Sequence, residues 1–338
     1  MKLSRILTVL AAASVASFGH WSVAQAEQLK VVSSFSIIGD LVKNVGGEHV
    51  VVSNLAGHDV DLHHFEPKPS DVKKLTPAEG AKLLFINGLE LEPWAERLKQ
   101  SSGFKGETVV VSEGIKPLKF DDIHHDHDHD HDHDHEHEHD HKHDHEHEHD
   151  HKHEHDHHEH DGHNHGEWDP HAWQNPQNAV IYVDNILNAL KKADPANATS
   201  YEANAEQYLA QIKQLDAEIK KAFAALTKEQ RRFGTNHEAF AYFAEAYDLT
   251  QIPVTGVSGG EPSAAQVAAV SKRLKQEGVR AVFFENTTNN RLIEQVAHDA
   301  GVKVGGTLVA DALEKEGEGA SYLGMIKKNA DTLLDALK

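Results

Sequence analysis

Along most of this chain, short apolar runs alternate with segments that repeat at helical spacing. From Gln28 the stretches 29–34, 49–55, 81–87 and 107–112 read as strands, and 37–45, 70–79 and 92–100 as the helices between them. Strands that alternate with helices of about ten residues predict βαβ units on a mainly parallel sheet. The alternation then pauses. Residues 178–192 read as one helix, Asp194-Pro195 breaks it, and 200–226 reads as a second. In that second helix Tyr208, Ile212, Leu215, Ile219 and Phe223 recur at steps of three and four, which marks a single apolar face. A helix of this length spans roughly 40 Å.

Beyond it the alternation resumes, with strands expected at 232–235, 251–257, 281–285 and 303–310. Helices are expected at 238–247, 263–276, 291–300 and 322–337. The chain therefore predicts an α/β fold of two similar lobes, 27–196 and 229–338, each a mainly parallel sheet flanked by helices. One long rigid helix within 197–228 joins them. Ligands of open parallel sheets sit beyond the carboxyl ends of the strands, so the cleft between the lobes is the expected site.

Residues 1–26 stand outside this pattern. Lys2 and Arg5 precede a short apolar stretch that ends in Ala24-Gln25-Ala26, the order of a cleaved secretory signal. Neither this stretch nor any later one reaches the eighteen or so apolar residues that would span a bilayer. The 338-residue chain has no cysteine, hence no disulfide, no thiolate ligand and no acylated cysteine near the cleavage site. The expected product is a free, exported protein of a bacterial periplasm.

Net charge is −21, and most of it comes from residues 121–168, which carry nineteen acidic residues against two lysines. No basic patch exists to neutralise phosphates, so nucleic acid is not an expected partner. Twenty-two of the thirty histidines lie between 124 and 165, alternating with Asp and Glu. With almost no apolar side chain to bury, the segment 121–166 is expected to be a disordered loop inserted late in the first lobe. Such a run binds zinc weakly at many places, which gives capacity more than affinity. His163 and His165, nearest in sequence to His171, are candidates for an accessory metal site.

Four positions fall where a βα chain presents functional groups. Asp61-Leu62-His63-His64-Phe65 follows the second strand, Asp169-Pro170-His171 follows the insert, Asn236-His237 lies at a strand end, and Asp311 follows the strand 303–310. Taken singly, each histidine reads as a cap or surface residue, and Asp311 as a helix N-cap. His58 and His64 are further imidazoles beside His63. Taken together, His63, His171, His237 and Asp311 are three imidazoles and one carboxylate, the closed tetrahedral set that zinc prefers. Each imidazole must be neutral to bind, so affinity is expected to fall as pH drops through the imidazole range.

The motifs DLHHFEPKPSD at 61–71, DPHAWQNPQNA at 169–179, NHEAFAYFAEAYDL at 236–249, GEPSAAQV at 260–267 and YLGMIKKNADTL at 322–333 give the chain a family likeness. In this order they resemble the zinc-binding, ZnuA-like members of the periplasmic metal receptors that serve ABC importers, over residues 29–338. The resemblance implies two lobes on one long helix, with a metal held between them by His63, His171, His237 and Asp311. Manganese-binding relatives are similar except for a glutamate at the third position, so His237 favours zinc. Leu62 replaces the family's usual proline, and Gln174-Asn175 a more usual Leu-Asp or Leu-Ser pair.

The resemblance also implies Zn²⁺ as cargo, an inner-membrane ABC permease as partner, a periplasmic metallochaperone as a further candidate partner, and a monomer without enzymatic activity. Three rival readings make distinct predictions. A manganese or broad-specificity receptor would bind other metals as tightly. A zinc hydrolase would keep a water in place of Asp311, with Glu238 or Glu66 as base. A storage protein would lose all tight binding with residues 124–165.

Overall fold

A computed structural model describes residues 27–119, 167–255 and 262–338. The expected signal at 1–26, the histidine run with His163 and His165, and residues 256–261 lie outside the described residues.

The first sheet is formed by β1 (Leu29–Phe35), β2 (Val50–Ala56), β3 (Leu83–Ile86) and β4 (Glu107–Val110), all parallel and in the order β2-β1-β3-β4. The second repeats that order with β5 (Arg232–Thr235), β6 (Thr250–Pro253), β7 (Ala281–Glu285) and β8 (Lys303–Leu308), as β6-β5-β7-β8. Helices α1 (Ser36–Gly46), α2 (Pro69–Lys74), α3 (Ala95–Ser102) and α4 (Pro176–Ala193) flank the first sheet. Then α5 (Ala198–Phe223) leads to α6 (Ala241–Tyr247), α7 (Ala264–Gln276), α8 (Arg291–Ala300) and α9 (Tyr322–Leu337) around the second. The two-lobe α/β fold with one long helix is as expected.

Each expected element is present, and four of the ends that differ from expectation have a local reason. Helix α2 stops at Lys74 because Pro77 disfavours helical backbone at Thr76. Helix α3 starts at Ala95, since Glu92 folds back to accept the backbone N–H groups of Asn87 and Gly88. Helix α6 starts at Ala241 because residues 236–240 form the turn that presents His237. Strand β8 ends at Leu308, leaving Val309 to Ala312 as a buried loop.

Packing places the site. One face of each sheet rests on a single continuous core that includes Ile38 and Leu41 of α1, Tyr182 of α4, Tyr208 and Ile212 of α5, Phe243 of α6 and Met325 of α9. The opposite faces carry smaller cores, Leu84 with Trp94 and Leu98 in the first lobe and Leu274 with Val296 in the second. Helix α5, about 39 Å long at 1.5 Å per residue, packs on α1 and α4 of one lobe and α9 of the other. Its buried stripe differs from the expected one at a single place: Asp216 sits inside it, and Leu215 is displaced to the flank. The buried carboxylate is satisfied by Gln177 Nε2 at 2.5 Å, Lys220 Nζ at 2.8 Å and the Tyr247 hydroxyl at 3.1 Å.

Candidate metal centre

All four sequence-derived residues lie beyond the carboxyl ends of the parallel strands and converge between the lobes. His63 sits in the loop after β2, His171 in the turn that opens toward α4, His237 just past β5 and Asp311 three residues past β8. One donor atom from each lies within 4.8 Å of all the others, and this is the cluster of at least three metal-binding side chains found among the described residues. The imidazole centroids stand 5.2, 5.6 and 5.3 Å apart, a nearly equilateral triangle. His63 Nε2 lies 3.1 Å from His171 Nε2. The two oxygens of Asp311 lie 3.4 Å from His171 Nε2 and 3.4 Å from His237 Nε2. Ligands at zinc bond lengths in a tetrahedron are about 3.3 Å apart, so the spacing fits such an ion.

Each side chain is aimed by a partner. The Nδ1–H and backbone N–H of His171 both donate to Asp169 Oδ1, at 2.7 and 2.9 Å. His237 Nδ1 donates to Glu285 Oε2 while its backbone N–H donates to Oε1 of the same carboxylate at 3.0 Å. Holding Nδ1–H in this way fixes the tautomer that leaves Nε2 free to bind metal. The 169–171 turn is itself held: Asn87 Nδ2 donates to Pro170 O at 3.0 Å, and the Tyr242 hydroxyl donates to Asp169 O at 2.8 Å. Trp173 walls the ring of His171 at 5.3 Å and donates its indole N–H to Ala310 O beside Asp311.

The neighbouring imidazoles stand apart from the cluster. His64 points outward, its side chain 68 % exposed and its Nδ1 paired with Asp61 Oδ2 at 2.9 Å. His58 is exposed as well, and neither belongs to the cluster. Asp61 does more for His63, whose backbone N–H it accepts at 2.9 Å. Leu62, in the place of proline, is buried in the first lobe's core. Asp311 is not an N-cap: its carboxylate is 1 % exposed and turned into the imidazoles. Glu66 is exposed, and Glu66 and Glu238 are both outside the cluster.

Electrostatics divide the four. Burial pushes the His63 imidazole down to about 3, opposed in part by the charge of Asp311. Burial acts the same way on His171, but the charge of Asp169, the hydrogen bond that Asp169 accepts from its Nδ1 and the nearby Asp311 carboxylate outweigh it and raise its pKa to about 9. His237 is raised well above the usual imidazole range: burial opposes, and the charges of Glu285 and Asp311 prevail. Burial would raise Asp311, yet the neighbouring charge of His237 and the close approach of the His171 and His237 imidazoles, each 3.4 Å away, hold it well below the usual carboxylate range. Asp169, Glu285 and Asp311 thus bring three carboxylates to one buried spot, a strong demand for positive charge. His237 Nε2 and Asp311 Oδ1 are buried without a hydrogen-bond partner, which buried polar atoms rarely tolerate. A divalent cation held by these donors would satisfy them.

Glu285 was not singled out from the sequence, although it closes the apolar strand Ala-Val-Phe-Phe-Glu, a place where a buried charge calls for a reason. Asn87 and Tyr242 carried no signal of their own.

The family model described as zinc-uptake complex component A, periplasmic, matches residues 31–336. The chain is 29% identical over 312 residues to the iron-binding protein YfeA of Yersinia pestis, covering 91% of this chain and 86% of YfeA. It is 30% identical over 313 residues to the manganese-binding lipoprotein MntA of Halalkalibacterium halodurans, covering 92% and 89%. The solved periplasmic zinc-binding protein TroA of Treponema pallidum superposes with a TM-score of 0.74 at 25% identity, covering 92% of this chain and 99% of TroA. With its two parallel sheets and the buried donor cluster between them, the chain belongs to the zinc-uptake component A family of metal-binding receptors of ABC importers.

Proposed function

We propose that this protein captures Zn²⁺ in the periplasm with His63, His171, His237 and Asp311 and delivers it to an inner-membrane ABC permease. The observation that carries the reading is the donor set: three imidazole nitrogens and one carboxylate at tetrahedral spacing. Imidazole suits zinc, whereas manganese is served better by added oxygen donors. Relatives that bind iron or manganese make the choice of metal a real question, and His237 is the residue that speaks for zinc. Four protein donors leave no position for the water that a catalytic zinc keeps, which favours capture over hydrolysis.

Cleavage near Ala26 would release the mature chain, and among the described residues no helix is long and apolar enough to cross a membrane. The histidine run at 124–165, with His163 and His165 as its accessory candidates, collects zinc near the cleft, where tethering raises its local concentration. Titration of the metal-free protein with zinc and with manganese against a competing chelator, with and without residues 124–165, tests the whole reading. One tight zinc equivalent that survives the deletion and disappears in His237→Ala is expected, with slower loading of the deleted form at scarce zinc. Tighter manganese binding, or loss of the tight equivalent with the run, would overturn it.

A further inference from the structure

The three innermost donors, His171, His237 and Asp311, are almost wholly buried, whereas His63 is only partly so. Among the described residues, the side of the site nearest solvent is therefore that of His63, carried by the loop of residues 57–68. The hydrogen bonds from that loop to the opposite lobe gather, among the described residues, at Asp59. Asp59 stands at φ 52°, a left-handed conformation that Asp tolerates better than most residues. Its backbone N–H donates to Leu313 O at 3.1 Å. Its Oδ1 accepts from Asn286 Nδ2 at 3.3 Å and its Oδ2 from the Lys315 backbone N–H at 3.3 Å.

The groups it reaches are those that place Asp311. Asn286 follows Glu285 directly and clips the Asp311 loop on both sides: its Oδ1 accepts from Ala310 N at 3.1 Å and its Nδ2 donates to Ala312 O at 2.9 Å. Ser36, at the start of α1, accepts from Leu313 N at 3.0 Å. The His63 loop and the Asp311 loop are thus joined across the cleft by an exposed carboxylate, four residues from His63 and linked through Asn286 to both neighbours of Asp311.

We infer that Asp59 is a latch between the two ligand loops, a positioning residue that sets how fast the site opens and lets the ion go. The inference rests on the metal-binding reading of the four-residue centre. Because the latch is exposed and makes no contact with the ligand atoms, its loss speeds opening in both directions. Release accelerates more than affinity falls.

The test uses the full mature chain. Asp59→Gly keeps the left-handed backbone and removes the carboxylate, and Asp59→Asn keeps one acceptor. Release of one zinc equivalent into excess chelator is expected to be roughly three- to tenfold faster in Asp59→Gly, the size of effect that hydrogen bonds at an accessible site produce, with Asp59→Asn between it and the native protein. Zinc affinity is expected to change by less than the release rate, and the unfolding midpoint to fall by no more than about 2–4 °C. Hydrogen exchange in the metal-free protein reads the latch without zinc: the Lys315 amide should lose protection in Asp59→Gly while core amides of β5 and β7 keep theirs. Unchanged protection at Lys315, or unchanged release once protection is lost, overturns the latch. A native chain that takes no zinc would instead overturn the metal-binding reading, and the exchange result would still decide whether the two loops are tied.

Discussion

His171 and His237 present the same atom to the same centre, and each is steered by a carboxylate on Nδ1, but the two devices are built differently. For His171 the carboxylate is two residues upstream, inside the turn Asp169-Pro170-His171. A single oxygen takes both the ring and the backbone donors, and Asp169 Oδ2 is left without a partner. For His237 the carboxylate comes from the end of β7, 48 residues further on, and each of its oxygens takes one donor. Strand β5 lies beside β7 in the sheet, so residues at and just past their ends meet only once that register has formed. One imidazole is aimed by local chain geometry and the other by tertiary structure.

The difference in oxygen use predicts which amide substitution does more harm. In Asp169→Asn the retained Oδ1 can still accept both donors, and the new amide replaces the oxygen that had no partner. In Glu285→Gln the amide must face a donor, either the ring or the backbone N–H of His237. The second change favours the wrong tautomer, with a proton on Nε2 toward the metal. Zinc affinity should fall by about 10- to 100-fold in Glu285→Gln and by clearly less in Asp169→Asn, as chelator competition would show. Equal losses would mean that charge, not tautomer, is what the carboxylates supply.

A smaller effect separates the supports of the His171 turn from those of His237. The Tyr242 hydroxyl, from the second lobe, accepts from Leu118 N at 3.0 Å and donates to Asp169 O at 2.8 Å, so it grips both ends of the chain that flank the insert. Tyr242→Phe removes both bonds and should lower stability by about 1–2 kcal/mol in thermal or denaturant unfolding. Its effect on zinc affinity should be modest, since the Asp169–His171 pair is untouched. Loss of the tight site in this variant would show that the turn has no rigidity of its own.

The smallest effect is one of pH and also concerns the first lobe. Glu92 steadies Asn87, which in turn holds Pro170, and burial pushes the Glu92 carboxyl up to about 7 despite the backbone N–H groups of Asn87 and Gly88. The folded state therefore holds this proton more tightly than the unfolded chain. The stabilisation is complete below the ordinary carboxylate range, and it is lost as pH rises through about 7. Glu92→Gln, which is neutral throughout, should flatten the fall in unfolding temperature between about pH 5 and 8 relative to the native protein. An identical slope in the two proteins would mean that Glu92 ionises in the fold without penalty.

Much of this was legible before folding was considered. The 3.6-residue and two-residue periodicities located every strand and α-helix of the described residues, though not the short 3-10 turns between them, because each such element buries one face and the period records which. His63, His171, His237 and Asp311 were legible because each follows a strand, and parallel sheets bring such positions to one edge. The misplaced helix starts at Glu92 and Glu238 have one cause: in both stretches side-chain and turn geometry at the site claims residues that propensity assigns to a helix. Asp216 escaped notice because a stripe read by apolar spacing has no place for a carboxylate, and only the arrival of Gln177 and Tyr247 from other helices makes its burial tolerable.

What the sequence determined by itself was the set of elements, their repeated order in two lobes, and the chemical character of the four donors. What the tertiary structure decided was which imidazole near position 63 turns inward, which carboxylate steers His237, and how the two ligand loops are tied at Asp59. The reason is physical. Periodicity and donor type are properties of short segments, whereas Glu285, Asn286 and Asp59 act through contacts between segments far apart in the chain, and such contacts exist only after both sheets and the shared core have formed.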